Sequence, residues 1–401
     1  MTQDMTHRIG TQELAYIKEV LRTEFRSSSG STFMRRFEEA FAKRFGSSYA
    51  ISFVNGTATM HATLEAMGIG PGDEVIVPPL TMSATAFAVL QANATPVFAD
   101  VDHDTFQIDP VSIAERITSK TRAIITVALY GLSPDMDLIM ALAERYNLKV
   151  IEDNAQCFLG KYKGRLVGTL GHCSSFSFQS SKHLTSGEGG IVLTDDHNLA
   201  ENIRKVQSLG YAGVSATKAR ITKKDIQDPD YPRHVTMGWN YRMSELCSAV
   251  ALAQTENIDA LVHRRIDVAS IFLEATKEFH NWFVPQKTGP EYVNSYWTWV
   301  CRLDHSSVNW HTLRDAFLSN GGHGVYAAWR LTYLEPMFQN INLLGRERFI
   351  SAENIARYKE GLCPVAERLQ KNLMQFKTNY WNISQAHEQA EILRKTLMQF
   401  A

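Results

Sequence analysis

The feature that most restricts this chain's fold is an alternation running through its first half. Apolar runs of four to eight residues recur at 49–54, 74–77, 95–99, 122–129, 148–152, 173–178 and 190–193, and stretches with helical apolar spacing fall between several of them, at 57–67, 83–93, 134–146 and 199–209. Strands that are apolar throughout are buried on both faces. With helices between them they predict an α/β fold built on a mostly parallel sheet flanked by helices. A chain of 401 residues is long for one core, so two lobes are expected, a large domain over 1–266 and a smaller C-terminal α+β domain over 267–401. The polar stretch 211–234 reads as a long loop, and 244–279 as helical structure, interrupted or bent, leading into the second lobe. In parallel sheets of this kind, ligands lie beyond the carboxyl ends of the strands.

Charge narrows the partners. The formal net charge is -1 with 21% charged residues, which leaves no basic footprint for nucleic acid or an anionic membrane. Five scattered cysteines without a C-x-x-C spacing read as reduced packing residues, and no metal site is expected. The absence of any run of 18 apolar residues or of a leader-like N-terminus points to a cytoplasmic protein acting on small molecules.

Three segments that follow strands carry the chemistry. Lys182 sits on a polar loop between two strand-like runs. An ordinary lysine is protonated and inert, so a reactive one needs a lowered pKa or an aldehyde cofactor that captures it. Asp153 ends the run 148–153. In isolation it reads equally well as the cap of a following helix, but paired with Lys182 it fits pyridoxal phosphate (PLP), which takes a lysine for its Schiff base and an acid at its pyridinium nitrogen. Gly56-Thr57-Ala58 opens a helix after a strand, where unpaired amides suit a phosphate, although the same residues also make an ordinary turn and cap.

These pieces belong to a longer ordered set. It comprises Gly56-Thr57-Ala58, the loop 79–85, Pro96-Val97-Phe98-Ala99-Asp100-Val101-Asp102, Ile151-Glu152-Asp153-Asn154-Ala155-Gln156, the Lys182 loop with Gly187-Glu188-Gly189-Gly190, and Gly238-Trp239-Asn240-Tyr241-Arg242-Met243. In this order the chain resembles the DegT/StrS-type sugar aminotransferases of the fold type I PLP enzymes. The resemblance implies that Thr57, Ala58 and Ser177 hold the cofactor phosphate, that Asp153 faces the ring nitrogen, and that Gln156 contacts the cofactor near its phenolic oxygen. Lys182 would carry the Schiff base and then move the substrate proton, with the neighbouring His183 in a structural role. Asn240 would reach the partner's cofactor in a homodimer with shared active sites. Met82 stands where many relatives place an aromatic residue against the cofactor ring, a place a thioether also suits.

The family's chemistry implies L-glutamate as amino donor and a carbonyl-bearing sugar as acceptor, in amino-sugar or lipopolysaccharide biosynthesis. The segment Ala327-Ala328-Trp329-Arg330 is similar to that of enzymes aminating C8 of an oxidised 3-deoxy-manno-octulosonate, and Arg330 would then bind the acceptor carboxylate. The other aromatics of that region, among them Trp297, Trp299 and Tyr333, read more readily as core. Two rivals stand beside this reading. Sugar dehydratases of the same fold carry histidine where this chain has Lys182, and a non-catalytic sensor would bind cofactor or sugar without turnover.

Overall fold

The computed structural model describes residues 7–26 and 29–401. Its largest sheet has seven strands: β1 (Tyr49–Phe53), β2 (Glu74–Val77), β3 (Thr95–Phe98), β4 (Thr121–Val127), β5 (Lys149–Asp153), β8 (Cys173–Ser177) and β9 (Gly190–Thr194), in the order β1-β9-β8-β5-β4-β2-β3. Two short strands, β6 (Lys161–Tyr162) and β7 (Arg165–Leu166), lie between β5 and β8 in the chain. β9 runs antiparallel to both its neighbours, and every other pairing is parallel. The register sets Asp153 against Val127 on one side and Ser175 on the other, so the carboxyl ends of β4, β5 and β8 lie level.

Helices cover both faces as the spacing predicts. Several start on side-chain caps that take an otherwise unpaired amide: Asn55 from Ala58, Asp135 from Leu138, Asp196 from Leu199, Ser244 from Cys247. The helix Phe33–Phe45 is pressed against β8 by rings. Phe41 lies 5.1 Å from Phe176, 5.8 Å from Phe178 and 4.7 Å from Phe45, all fully or almost fully buried. The same helix carries Glu38, which accepts bonds from the buried Arg204 guanidinium at 2.9 and 2.7 Å and from the Ser52 hydroxyl at 2.8 Å, joining helix, β1 and the helix His197–Gln207.

The expected interrupted helix is present as Glu245–Glu256 followed by Ile258–Thr276. Beyond it, β10 (Phe283–Pro285), β12 (Thr298–Leu303), β13 (Val325–Ala327) and β14 (Leu373–Lys377) form an antiparallel sheet in the order β10-β12-β14-β13, while the short β11 (Tyr292–Val293) pairs back onto β6. The helices Ile258–Thr276 and Ile383–Leu397 pack together beside this sheet, around Phe272, Trp299, Phe376 and Leu393. The segment after β13 returns to the large sheet: the Thr332 amide donates to the Pro79 carbonyl at 3.1 Å, and Asp100 accepts from the amides of Val365 and Ala366, each at 2.8 Å. The stretch 211–234 is mainly turns with one short helix, Lys223–Gln227, and it closes where Tyr211 bridges His234; beyond it the Val54 amide donates to the Tyr241 carbonyl beside the Gly56 turn.

Candidate active site

Asp153 ends β5 next to β8, and the loop that leaves β8 carries Lys182, so adjacent parallel strands deliver both groups to one edge of the sheet. A cavity of about 350 Å³ opens there, with Asp153, Lys182, Thr57, Ser177, Gln156 and Met82 on its wall. Six of the eight cofactor contacts expected from sequence are therefore together.

Two expected contacts, Ala58 and Asn240, are not on that wall, and neither is Arg330, the expected acceptor contact. Ala58 is buried, and the Asn55 side chain takes its amide at 2.8 Å, so the helix N-terminus keeps the Thr57 hydroxyl rather than the Ala58 amide for a ligand. Asn240 is exposed and pairs through its backbone with Ser208. Arg330 is exposed, next to the cavity residue Trp329, and makes no hydrogen bond or ion pair among the described residues.

Asp153 is buried and its oxygens are satisfied: the Thr85 hydroxyl donates to Oδ2 at 2.9 Å and the Ala155 amide to Oδ1 at 3.1 Å. Burial raises its pKa above the usual carboxylate value, against the opposing pull of those two bonds and the Lys182 charge. Lys182 moves the other way. Desolvation brings its pKa down to about 8, with Asp153 and Glu188 resisting and Arg265 assisting. Its Nζ stands 4.5 Å from the centre of the Trp297 ring, a contact that holds the amine over an aromatic face. Gln156 is no surface amide. It is 2% exposed, and its Oε1 accepts the Tyr130 amide at 2.8 Å.

Close backbone approach explains the glycines. A Cβ on Gly56 would sit 3.0 Å from the Ser177 Cβ, and one on Gly190 would collide with the Asn55 carbonyl oxygen at 2.5 Å. The helix N-terminus and the strand carrying Ser177 are thus packed with no room between them, converging two hydroxyls and a helix terminus on one spot. A phosphate fits there, a buried carboxylate fits a ring nitrogen, and a lysine of depressed pKa fits an aldehyde carbon. The residues present suit PLP.

Sequence reading left out Thr85, the support of Asp153, although it closes the quoted loop 79–85, and it read Trp297 as core. Trp297 and Trp329, ring centres 5.9 Å apart, line this cavity and also a second one of about 720 Å³ whose wall includes Tyr326, Gln375, Lys377 and Arg265 but no carboxylate. His183 is fully buried, with Nε2 2.9 Å from the Ser295 carbonyl oxygen.

The sequence profile of the DegT/DnrJ/EryC1/StrS aminotransferase family matches residues 7–373. A GDP-perosamine synthase of Escherichia coli O157:H7 is 38% identical over 286 residues, covering 71% of this chain and 73% of that protein. Its counterpart in Caulobacter vibrioides is 37% identical over 300 residues, covering 74% and 76%. Among solved structures, an aminotransferase from Psychrobacter cryohalolentis superposes with a TM-score of 0.85 at 29% identity, covering 98% of this chain and 97% of that one.

Proposed function

The chain belongs to the DegT/DnrJ/EryC1/StrS aminotransferase family and is a PLP-dependent sugar aminotransferase, and from that premise we propose that it moves the amino group of L-glutamate onto the carbonyl of a nucleotide-linked keto-sugar. The observation that carries this reading is the second cavity, which shares Trp297 and Trp329 with the Lys182 cavity and presents Lys377 without a lining carboxylate. A diphosphate-bearing acceptor suits such a wall, and the similarity to two GDP-perosamine synthases supports a nucleotide-linked sugar.

PLP supplies the electron sink for the pair left when the substrate Cα loses its proton. Lys182 Nζ, once free and neutral, takes that proton. Asp153, fixed by Thr85 and the Ala155 amide, holds a proton on the ring nitrogen. Thr57 and Ser177 would seat the phosphate beside the buried Ala58, Gln156 would contact the cofactor near its phenolic oxygen, and Met82 would pack against its ring. Asn240, exposed on the single chain, would reach the partner's cofactor in a homodimer with shared sites. The reaction belongs in the cytoplasm. Lysine rather than histidine at position 182 argues for transfer over dehydration.

A second reading has its own observation. Arg330 is exposed and has no hydrogen-bond or ion-pair partner among the described residues, which suits a sugar acid such as an 8-oxo-3,8-dideoxy-manno-octulosonate. Loading the enzyme with glutamate and then offering a GDP-linked keto-sugar or the sugar acid separates the two. Turnover with the nucleotide sugar alone, unaffected by Arg330→Lys, supports the first reading. Turnover with the sugar acid alone, with its KM raised in Arg330→Lys, replaces it with the second. No bleaching of the cofactor by glutamate defeats both, since each takes glutamate as the donor.

A further inference from the structure

The loop that carries Lys182 is held by its backbone, through two arginines far away in sequence. Arg265, from the helix Ile258–Thr276, is 2% exposed and has no carboxylate partner among the described residues. One of its terminal nitrogens donates to the Lys182 carbonyl at 2.9 Å and the Ser181 carbonyl at 3.1 Å; the other donates to the Trp297 carbonyl at 2.8 Å and the Thr378 hydroxyl at 3.3 Å. Arg8 completes the grip, donating to the Lys182 carbonyl at 2.8 Å and the Ser180 carbonyl at 2.6 Å. The Trp297 indole donates to the Ser181 carbonyl at 2.8 Å, which fixes the ring beneath the Lys182 amine to the same loop.

A guanidinium buried without a counter-charge is costly, and an apolar side chain would fill the same volume without that cost. We propose that Arg265, assisted by Arg8, is a positioning residue for amino transfer, fixing the Lys182 backbone against Trp297 while keeping uncompensated positive charge beside the amine. This rests on Lys182 as the reacting amine. The charged and titratable groups facing it are Asp153 from β5, Glu188 and His183 from its own loop, and Arg265 from the helix; burial, Arg265 and Arg8 all keep His183 neutral, so it adds no charge. Asp153 and Glu188 favour the protonated amine and Arg265 opposes them. Removing the arginine charge therefore moves the amine's titration to higher pH.

The test follows absorbance of the bound cofactor against pH, together with the pH dependence of Lys182 modification by an amine-reactive reagent in the pyridoxamine form, where the lysine is free. Arg265→Met should raise both midpoints by about one pH unit, and lower kcat with little change in glutamate KM. Arg265→Lys should keep the midpoints near wild type but still lower kcat, because one ammonium cannot span the four acceptors. Arg8→Gln should shift the midpoints in the same direction by less. If Arg265→Met does not fold, Arg265→Lys and Arg8→Gln decide. Folded variants with wild-type midpoints and kcat would overturn the clamp. A Lys182→Ala enzyme that still turned over would instead overturn the reading on which the clamp rests.

Discussion

At the scale of single residues, the site depends on two groups displaced in opposite directions by the same burial. Lys182→Ala is expected to abolish steady-state transfer while the protein stays folded and still retains the cofactor through its phosphate, as judged by absorbance after gel filtration. Because the amine has a pKa brought down to about 8, kcat should climb as pH rises from 6 and level off above 8; a flat profile would remove Lys182 as the base. Asp153→Asn deletes the charge opposite the ring nitrogen and should cost about 10²-fold or more in kcat. Thr85→Val, which removes one of the two bonds orienting that carboxylate, should cost less, about tenfold, for a hydrogen bond to a charged group. Lys182 and Asp153 were legible because each lies in a recognisable local run. Their supports were not. Thr85 lies 68 residues from Asp153, and Arg265 and Arg8 lie 83 and 174 residues from Lys182, and no local pattern marks an arginine whose partners are backbone carbonyls.

Among elements, the sequence pattern located all seven strands of the large sheet to within two residues at either end, because most are predominantly apolar and nearly all their residues are buried. It did not reveal that β9 runs antiparallel, since a strand buried on both faces has the same composition in either direction. Nor did it show what braces β8. The rings of Phe41, Phe45, Phe176 and Phe178 stack across the helix–sheet junction directly behind the Lys182 loop, so Phe41→Ala should lower unfolding free energy by about 3–5 kcal/mol in urea titration. A loss under 1 kcal/mol would mean that the cluster is not continuous core.

For the molecule as a whole, a homodimer with shared sites makes a sharp expectation. Mixing inactive Lys182→Ala with an Asn240→Ala variant and allowing subunits to exchange should restore activity, since one site of each mixed dimer would carry both native residues; no recovery after proven exchange would place Asn240 outside its partner's site. The tie between the two large sheets leads elsewhere. Trp329 faces both cavities, and three residues later Thr332 hangs from the Pro79 carbonyl. The chain from Pro79 runs only six residues further before Thr85 reaches the carboxylate of Asp153. The wall shared by both cavities and the acid expected at the cofactor ring are therefore opposite ends of a single short tether, so a shift at one end would be felt at the other.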